Sequence, residues 1–261
     1  VRGRFYLIVA GAVWNIAITL GLGGIFAGHM TSSDLMEMPV VVWPALLVSY
    51  FVIAAMILVL HRSRVKRETY VTQWFVLASF LWFPALFLVA WQGLELNPGR
   101  GTVQSVVSMW YSQNVIWLWI TPIALGSAYY LIPKILGRPI EKYYLAIFGF
   151  WCIAFLAPWS GLHHLEGGPF PMWIPAIGTV MSIAMVFPIA VASTNFHATA
   201  FKDIGKVWNN LPLRFVIFGT ISYTISSYIG IIFSLPAVAK ITQFSIINEF
   251  HFNQRVYGFF S

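Results

Sequence analysis

The sequence predicts an all-α fold: a polytopic transmembrane bundle of about eight helices. Three observations carry that prediction. The chain is 59% hydrophobic and only 9% charged, with a mean hydropathy of +0.78, whereas a soluble domain carries about 25% charged residues. Apolar runs long enough to cross a bilayer recur along its whole length. Lysine and arginine sort into alternate connections between those runs.

The runs cover residues 5–28, 38–61, 71–92, 103–133, 143–164, 172–197, 213–235 and 242–261. A helical span needs roughly 20 apolar residues, so each run is read as one span. Residues 5–28 are too long for a secretory signal and lack a small-residue cleavage site, so they are read as a first span. Residues 1–261 are expected to form a single transmembrane domain, with no soluble linker, repeat or low-complexity segment. Pro44, Pro84, Pro122, Pro158, Pro175 and Pro188 fall inside runs and are expected to kink their helices, which bundles tolerate when neighbours satisfy the freed carbonyls.

The charges set the orientation. Arg2 and Arg4 precede the first run. Arg62, Arg64, Lys66 and Arg67 follow the second, Lys134, Arg138 and Lys142 the fourth, and Lys202, Lys206 and Arg214 the sixth. The other connections carry only Arg100 and Lys240. The positive-inside rule therefore expects a cytoplasmic N-terminus. The net charge of +7 is a topology signal of this kind, and nucleic acid is excluded as a partner. Cys152 is the one cysteine, which excludes an intramolecular disulfide and a cysteine-based metal cluster.

Polar, metal-capable side chains inside a membrane are costly and mark function by default. His163-His164 stand at the end of the fifth run, in Trp159-Ser160-Gly161-Leu162-His163-His164-Leu165. The topology puts this pair, Gln113 of the fourth run and His251 of the eighth in the same, outer half of the bilayer. Three helices thus bring polar groups to one depth, as a bundle does when it builds an internal metal or cofactor site. The competing reading is that each histidine only caps a helix or bonds a neighbouring backbone. His29 and His61 border loops and are read as surface residues. His197 is read as snorkelling or capping, and Glu166 as a solvated loop residue. Glu249 and Arg255 stand six apart and do not face each other on a helix; Arg255 could pair with a partner helix or a propionate-like group, and a contact to another subunit is the simpler reading. No phosphate-binding glycine loop or nucleophile triad is present.

Several blocks, in order and in register, resemble subunit I of the haem–copper oxidases, closest to the C-family or cbb-type cytochrome c oxidases. Trp14-Asn15 with Gly21, Gly23 and Gly24 is similar to that family's third helix. Tyr70-Val71-Thr72-Gln73-Trp74-Phe75 is similar to the start of its fifth. Trp110-Tyr111-Ser112-Gln113-Asn114 and Tyr129-Tyr130-Leu131-Ile132-Pro133-Lys134 are similar to its sixth. Trp159 to Leu165, with Pro171 and Trp173, are similar to its seventh and the loop beyond. The resemblance implies that the eight runs correspond to the third to tenth helices of that subunit. It implies that His163 and His164 match two of three copper ligands, and that His251 matches the axial ligand of the high-spin haem.

The same resemblance marks departures. Gln113 stands at the third copper ligand, a histidine in the family. Ala157 stands at the catalytic tyrosine. Asn253 stands at the low-spin haem histidine, and Ile229 at a glutamate near the active site. Truncation accounts for absent helices but not for these four substitutions, so a divergent paralogue is expected. The implied cofactor state is a haem at His251, with copper and low-spin haem lost and no catalytic residue retained. The implied partners are the lipid bilayer and other membrane subunits of a respiratory complex, including a c-type cytochrome subunit, in a bacterial inner membrane. The expected role is a degenerate, mainly structural subunit, or one that retains a single haem. The alternatives are an active terminal oxidase or nitric oxide reductase relative, and a transporter or channel, which would need a polar pathway across the bilayer.

Overall fold

The computed structural model describes residues 3–65, 68–243 and 245–260. Of the basic residues used for orientation, Arg2, Lys66 and Arg67 lie outside the described residues. Among the described residues, seven helices are long and apolar enough to cross a membrane: α1 Arg4–Phe26, α2 Val40–Arg62, α3 Val71–Leu96, α4 Thr102–Leu136, α5 Tyr143–Leu165, α6 Trp173–Phe201 and α7 Leu211–Phe233. They match the first seven predicted runs. The eighth run is helical but falls short of a span. A short helix, Pro236–Thr242, ends before it, and α8, Ile246–Arg255, continues as wider turns over Val256–Phe260. Asn248, Glu249, Asn253, Gln254 and Arg255 make this segment the most polar of the eight. No strand occurs among the described residues.

Two of the prolines sit beside an interruption, whereas α3 stays α-helical through Pro84. A proline removes one donor and pushes away the carbonyl four residues back. In α6 that carbonyl belongs to Ala184, four before Pro188, and the helix is interrupted between Ala184 and Val186. In α4 the helix widens to π turns over Val115–Ile120, just ahead of Pro122. Such local widening re-satisfies the freed backbone.

Consecutive helices pack as neighbours, and α4 and α6 also pack on α7. The core between α2, α3, α4 and α5 is aromatic. Phe83 stacks on Trp119 with centroids 3.8 Å apart, Tyr50 lies over Phe83 at 4.8 Å, and Phe75 stacks on Tyr129 at 5.7 Å. The helix flanks expose Phe5, Ile16, Leu20, Phe155, Phe187 and Phe218. So much exposed apolar surface suits lipid, not water.

The basic connections share one end of the bundle. Lys202 pairs with Glu141, Lys206 donates to the Leu136 carbonyl at 3.2 Å, and Tyr143 stacks on Tyr70. The Lys202 hydrogen bond holds the Glu141 carboxyl below its ordinary value. At the same end, α6 caps α5. Fully buried Asn195 accepts from the Lys142 backbone N–H at 2.9 Å and donates back to the Lys142 carbonyl at 3.3 Å. One turn later, Thr199 accepts from the Glu141 N–H at 3.1 Å. An unpaired helix N-terminus therefore meets two side chains spaced i, i+4 on one face of the next helix. Removing one such buried partner costs about 1–3 kcal/mol. Asn195→Ala should lower the thermal unfolding midpoint in detergent accordingly, and Asn195→Asp, which keeps the acceptor, should lower it less. An unchanged midpoint for Asn195→Ala would show that the cap contributes nothing.

Candidate functional site

The site forms at the opposite end from the basic connections, where α5 stops being an α-helix. Pro158 weakens its last turn, and residues Gly161–Leu165 tighten into a 3-10 turn. The carbonyls released there are recaptured by side chains. Asn114 of α4 donates to the Pro158 carbonyl at 3.3 Å. Ser182 of α6 donates to the Ser160 carbonyl at 2.8 Å.

These bonds orient the first histidine. His163 Nδ1 lies 2.5 Å from the Ser160 carbonyl and 3.0 Å from Ser182 Oγ. A carbonyl only accepts, so Nδ1 carries the proton, and the lone pair of the neutral ring is on Nε2. His164 lies against His163 with ring centroids 4.1 Å apart, and its backbone carbonyl accepts from Gln243 at 3.0 Å. The close approach of α6 needs Gly178, because a Cβ there would overlap the His163 backbone.

The residues singled out in the sequence converge. Gln113, His163, His164 and His251 all line one cavity of about 50 Å3, together with Trp117, Ser182 and Arg255. Gln113 packs its stem on Gly161. His251 sits edge-on to Phe233, with centroids 5.6 Å apart, and its Nδ1 is buried without a partner. Ala157 is buried in the core near this end, and Asn253 is exposed on the far face of α8. Ile229 is half-buried and does not line the cavity, although its neighbours Gly230 and Ile231 do.

Two sequence readings change. Arg255 is not a subunit contact: it is 8% exposed and turned into this cavity. Its Nη2 lies 3.4 Å from His251 Nε2, and its guanidinium carbon is 4.7 Å from the Trp117 ring centre. The signal was available, since positions 251 and 255 share a helical face at i, i+4. His197 does not snorkel: it is half-buried against the Thr220 backbone, with Nε2 buried and unpartnered. His29 is exposed, as expected, and His61 contacts Arg64.

A seven-span helical membrane protein with an intramembrane histidine cavity is the class that this fold and site define. A family model, cytochrome c and quinol oxidase polypeptide I, matches residues 2–261. The chain belongs to that family, the subunit I family of the haem–copper oxidases. It is 26% identical to the cbb3-type cytochrome c oxidase subunit CcoN1 of Stutzerimonas stutzeri, over 89% of this chain and 50% of that protein. It is 25% identical to a cytochrome c oxidase subunit 1 homolog of Azorhizobium caulinodans, over 93% of this chain and 43% of that protein. A bacteroid homolog from Bradyrhizobium diazoefficiens is 26% identical, over 93% and 44%. The chain thus spans half or less of the length of these relatives.

The contact between Gly178 and His163 can be broken. Gly178→Ala should destabilise the bundle by about 1–3 kcal/mol, the usual cost of overpacking, because the opposing atoms are backbone and cannot swing aside. Thermal unfolding in detergent measures it; a midpoint equal to that of the unaltered chain would show that α6 is free to shift.

Proposed function

We propose that this chain is a multi-pass subunit of a haem–copper oxidase-type respiratory complex in a bacterial inner membrane, and that its role there is mainly structural. Its N-terminus and basic loops face the cytoplasm, and residues 1–261 form one transmembrane domain beside other membrane subunits, including a c-type cytochrome subunit. His163 and His164 are vestigial copper ligands, with Gln113 in place of the third.

One observation carries the reading. Arg255 Nη2 lies 3.4 Å from His251 Nε2, inside a cavity of about 50 Å3. A cofactor pocket is typically ~300–1,000 Å3. With Arg255 in that position a haem does not fit. The donors suit copper poorly as well: an amide replaces one imidazole, and geometry and ligand type set the selectivity of such sites. Among the described residues, no three His, Cys, Asp or Glu side chains are placed to share a metal ion. Ala157 offers neither a proton nor an electron where the resemblance places a tyrosine.

A second reading keeps one haem, axially held by His251, for electron transfer or reduction of a small molecule such as nitric oxide. What favours it is the position of His251, on the same cavity as His163 and His164, with one ring nitrogen buried and unpartnered. It requires Arg255 to swing away. A transporter or channel has less support. A cavity of about 800 Å3 between α4, α7 and the turns after α8 is lined mostly by apolar side chains.

The purified chain should consume no dioxygen with reduced cytochrome c as donor. Its visible spectrum separates the two readings. No haem bands are expected for the structural role. Bands that vanish in His251→Ala but persist in His197→Ala would establish the single-haem role, and sustained oxygen consumption would overturn both.

A further inference from the structure

Arg255 poses a problem that neither reading resolves. It is a nearly fully buried cation inside the bundle. A charge at such a depth is costly and is normally paired. None of the chain's eight carboxylates lines its cavity. The ion pairs formed among the described residues, Lys202–Glu141 and Lys206–Asp203, lie at the other end of the molecule.

The groups facing Arg255 are neutral or cationic. From α4 come the Trp117 ring face and Gln113, from α5 the two imidazoles, from α6 Ser182, and from α7 Ser227 and Gly230. From α8 itself comes His251, whose Nε2 sits 3.4 Å from Nη2, longer than a good hydrogen bond. Arg255 Nε is buried with no hydrogen-bond partner, and the neutral Tyr223 phenol of α7 lies near the guanidinium. A guanidinium has five N–H donors in a fixed fork, and here that fork points into a cavity whose acceptors, such as the Gln113 and Asn248 amides, are all uncharged. The cavity also presents the side-chain amides of Gln113 and Asn248, both able to donate.

We propose that this cavity binds one small monovalent anion, of halide or nitrite size, held by the Arg255 guanidinium. The size follows from the space. A cavity of about 50 Å3 exceeds the ~30 Å3 share of one water but is far too small for an organic acid. The sign follows from the charge: water would fill the donors yet leave the cation unbalanced, whereas an anion does both. Gly230 shapes the site, because a Cβ there would lie 3.0 Å from His251 Nε2.

The test uses the full chain in detergent, in gluconate buffer, whose anion is too large to enter. Chloride, bromide or nitrite is then titrated while the thermal midpoint is followed. A ligand that binds only the folded state raises the midpoint in step with its occupancy. The wild type should show a saturable rise of a few degrees, and Lys202→Gln, altered at the opposite end, the same rise. Arg255→Met, of similar volume and uncharged, should show none. Chloride-35 line broadening on the wild type, competed away by nitrite, reads binding without any variant, so a variant that fails to fold does not block the test. No rise and no broadening in the wild type, or an equal rise in Arg255→Met, would overturn the site. A stoichiometric haem in the pyridine haemochrome assay, with no anion response, would instead assign the counter-charge to a haem propionate and also overturn it.

Discussion

A backbone carbonyl without a partner costs several kcal/mol in hydrocarbon, and every irregularity of this bundle is arranged around that cost. Side chains from neighbouring helices bond backbone oxygens near the prolines and at a helix end. Asn114 does so for Pro158, Ser182 for Ser160 and Thr72 for Gly126, at 3.3, 2.8 and 3.0 Å. The same substitutions of side chain for backbone that repair the helices also lock them together. Ser182 illustrates the economy of this arrangement: one hydroxyl closes the end of α5, fixes the contact with α6 and touches the ring of His163. The geometry of the polar cavity is therefore a by-product of how the helices end.

Serines, threonines and asparagines bound to backbone hold the helices in register, and Gln113 and Ala157 take little part. Gln113 packs on Gly161 through its stem, and Ala157 is simply buried. Substituting such positions changes chemistry without releasing a carbonyl. In a family defined by its cofactors, the scaffold and the chemistry are separable to this degree.

The spans were legible because hydropathy alone sets them: a run of about 20 apolar residues has few alternatives in a bilayer. The convergence of Gln113, His163, His164 and His251 was legible too, because alternating basic loops fix which helix ends meet. Three features were not. The eighth run is divided between the short helix that ends at Thr242 and α8, which starts at Ile246, and hydropathy does not mark that division. Arg255 looked like a contact to another chain because a buried, uncompensated arginine is the less expected outcome; only packing shows which way a long side chain turns. His197 lies near a helix end in the sequence, yet α7 covers it, and the distance between two helices is not written in either one.

The first helix stands apart from all of this. Among the described residues it packs chiefly on α2 and on the turn leading into it, through a seam of small buried residues, Ala10, Ala17 and Gly21. Trp14 joins it to the aromatic core through Tyr50. Van der Waals contact between small residues is what joins helices in lipid, so the closeness of α1 to α2 is set by the size of the side chains along that seam. A larger residue at Ala10 or Ala17 would push the two helices apart and weaken the Trp14–Tyr50 contact.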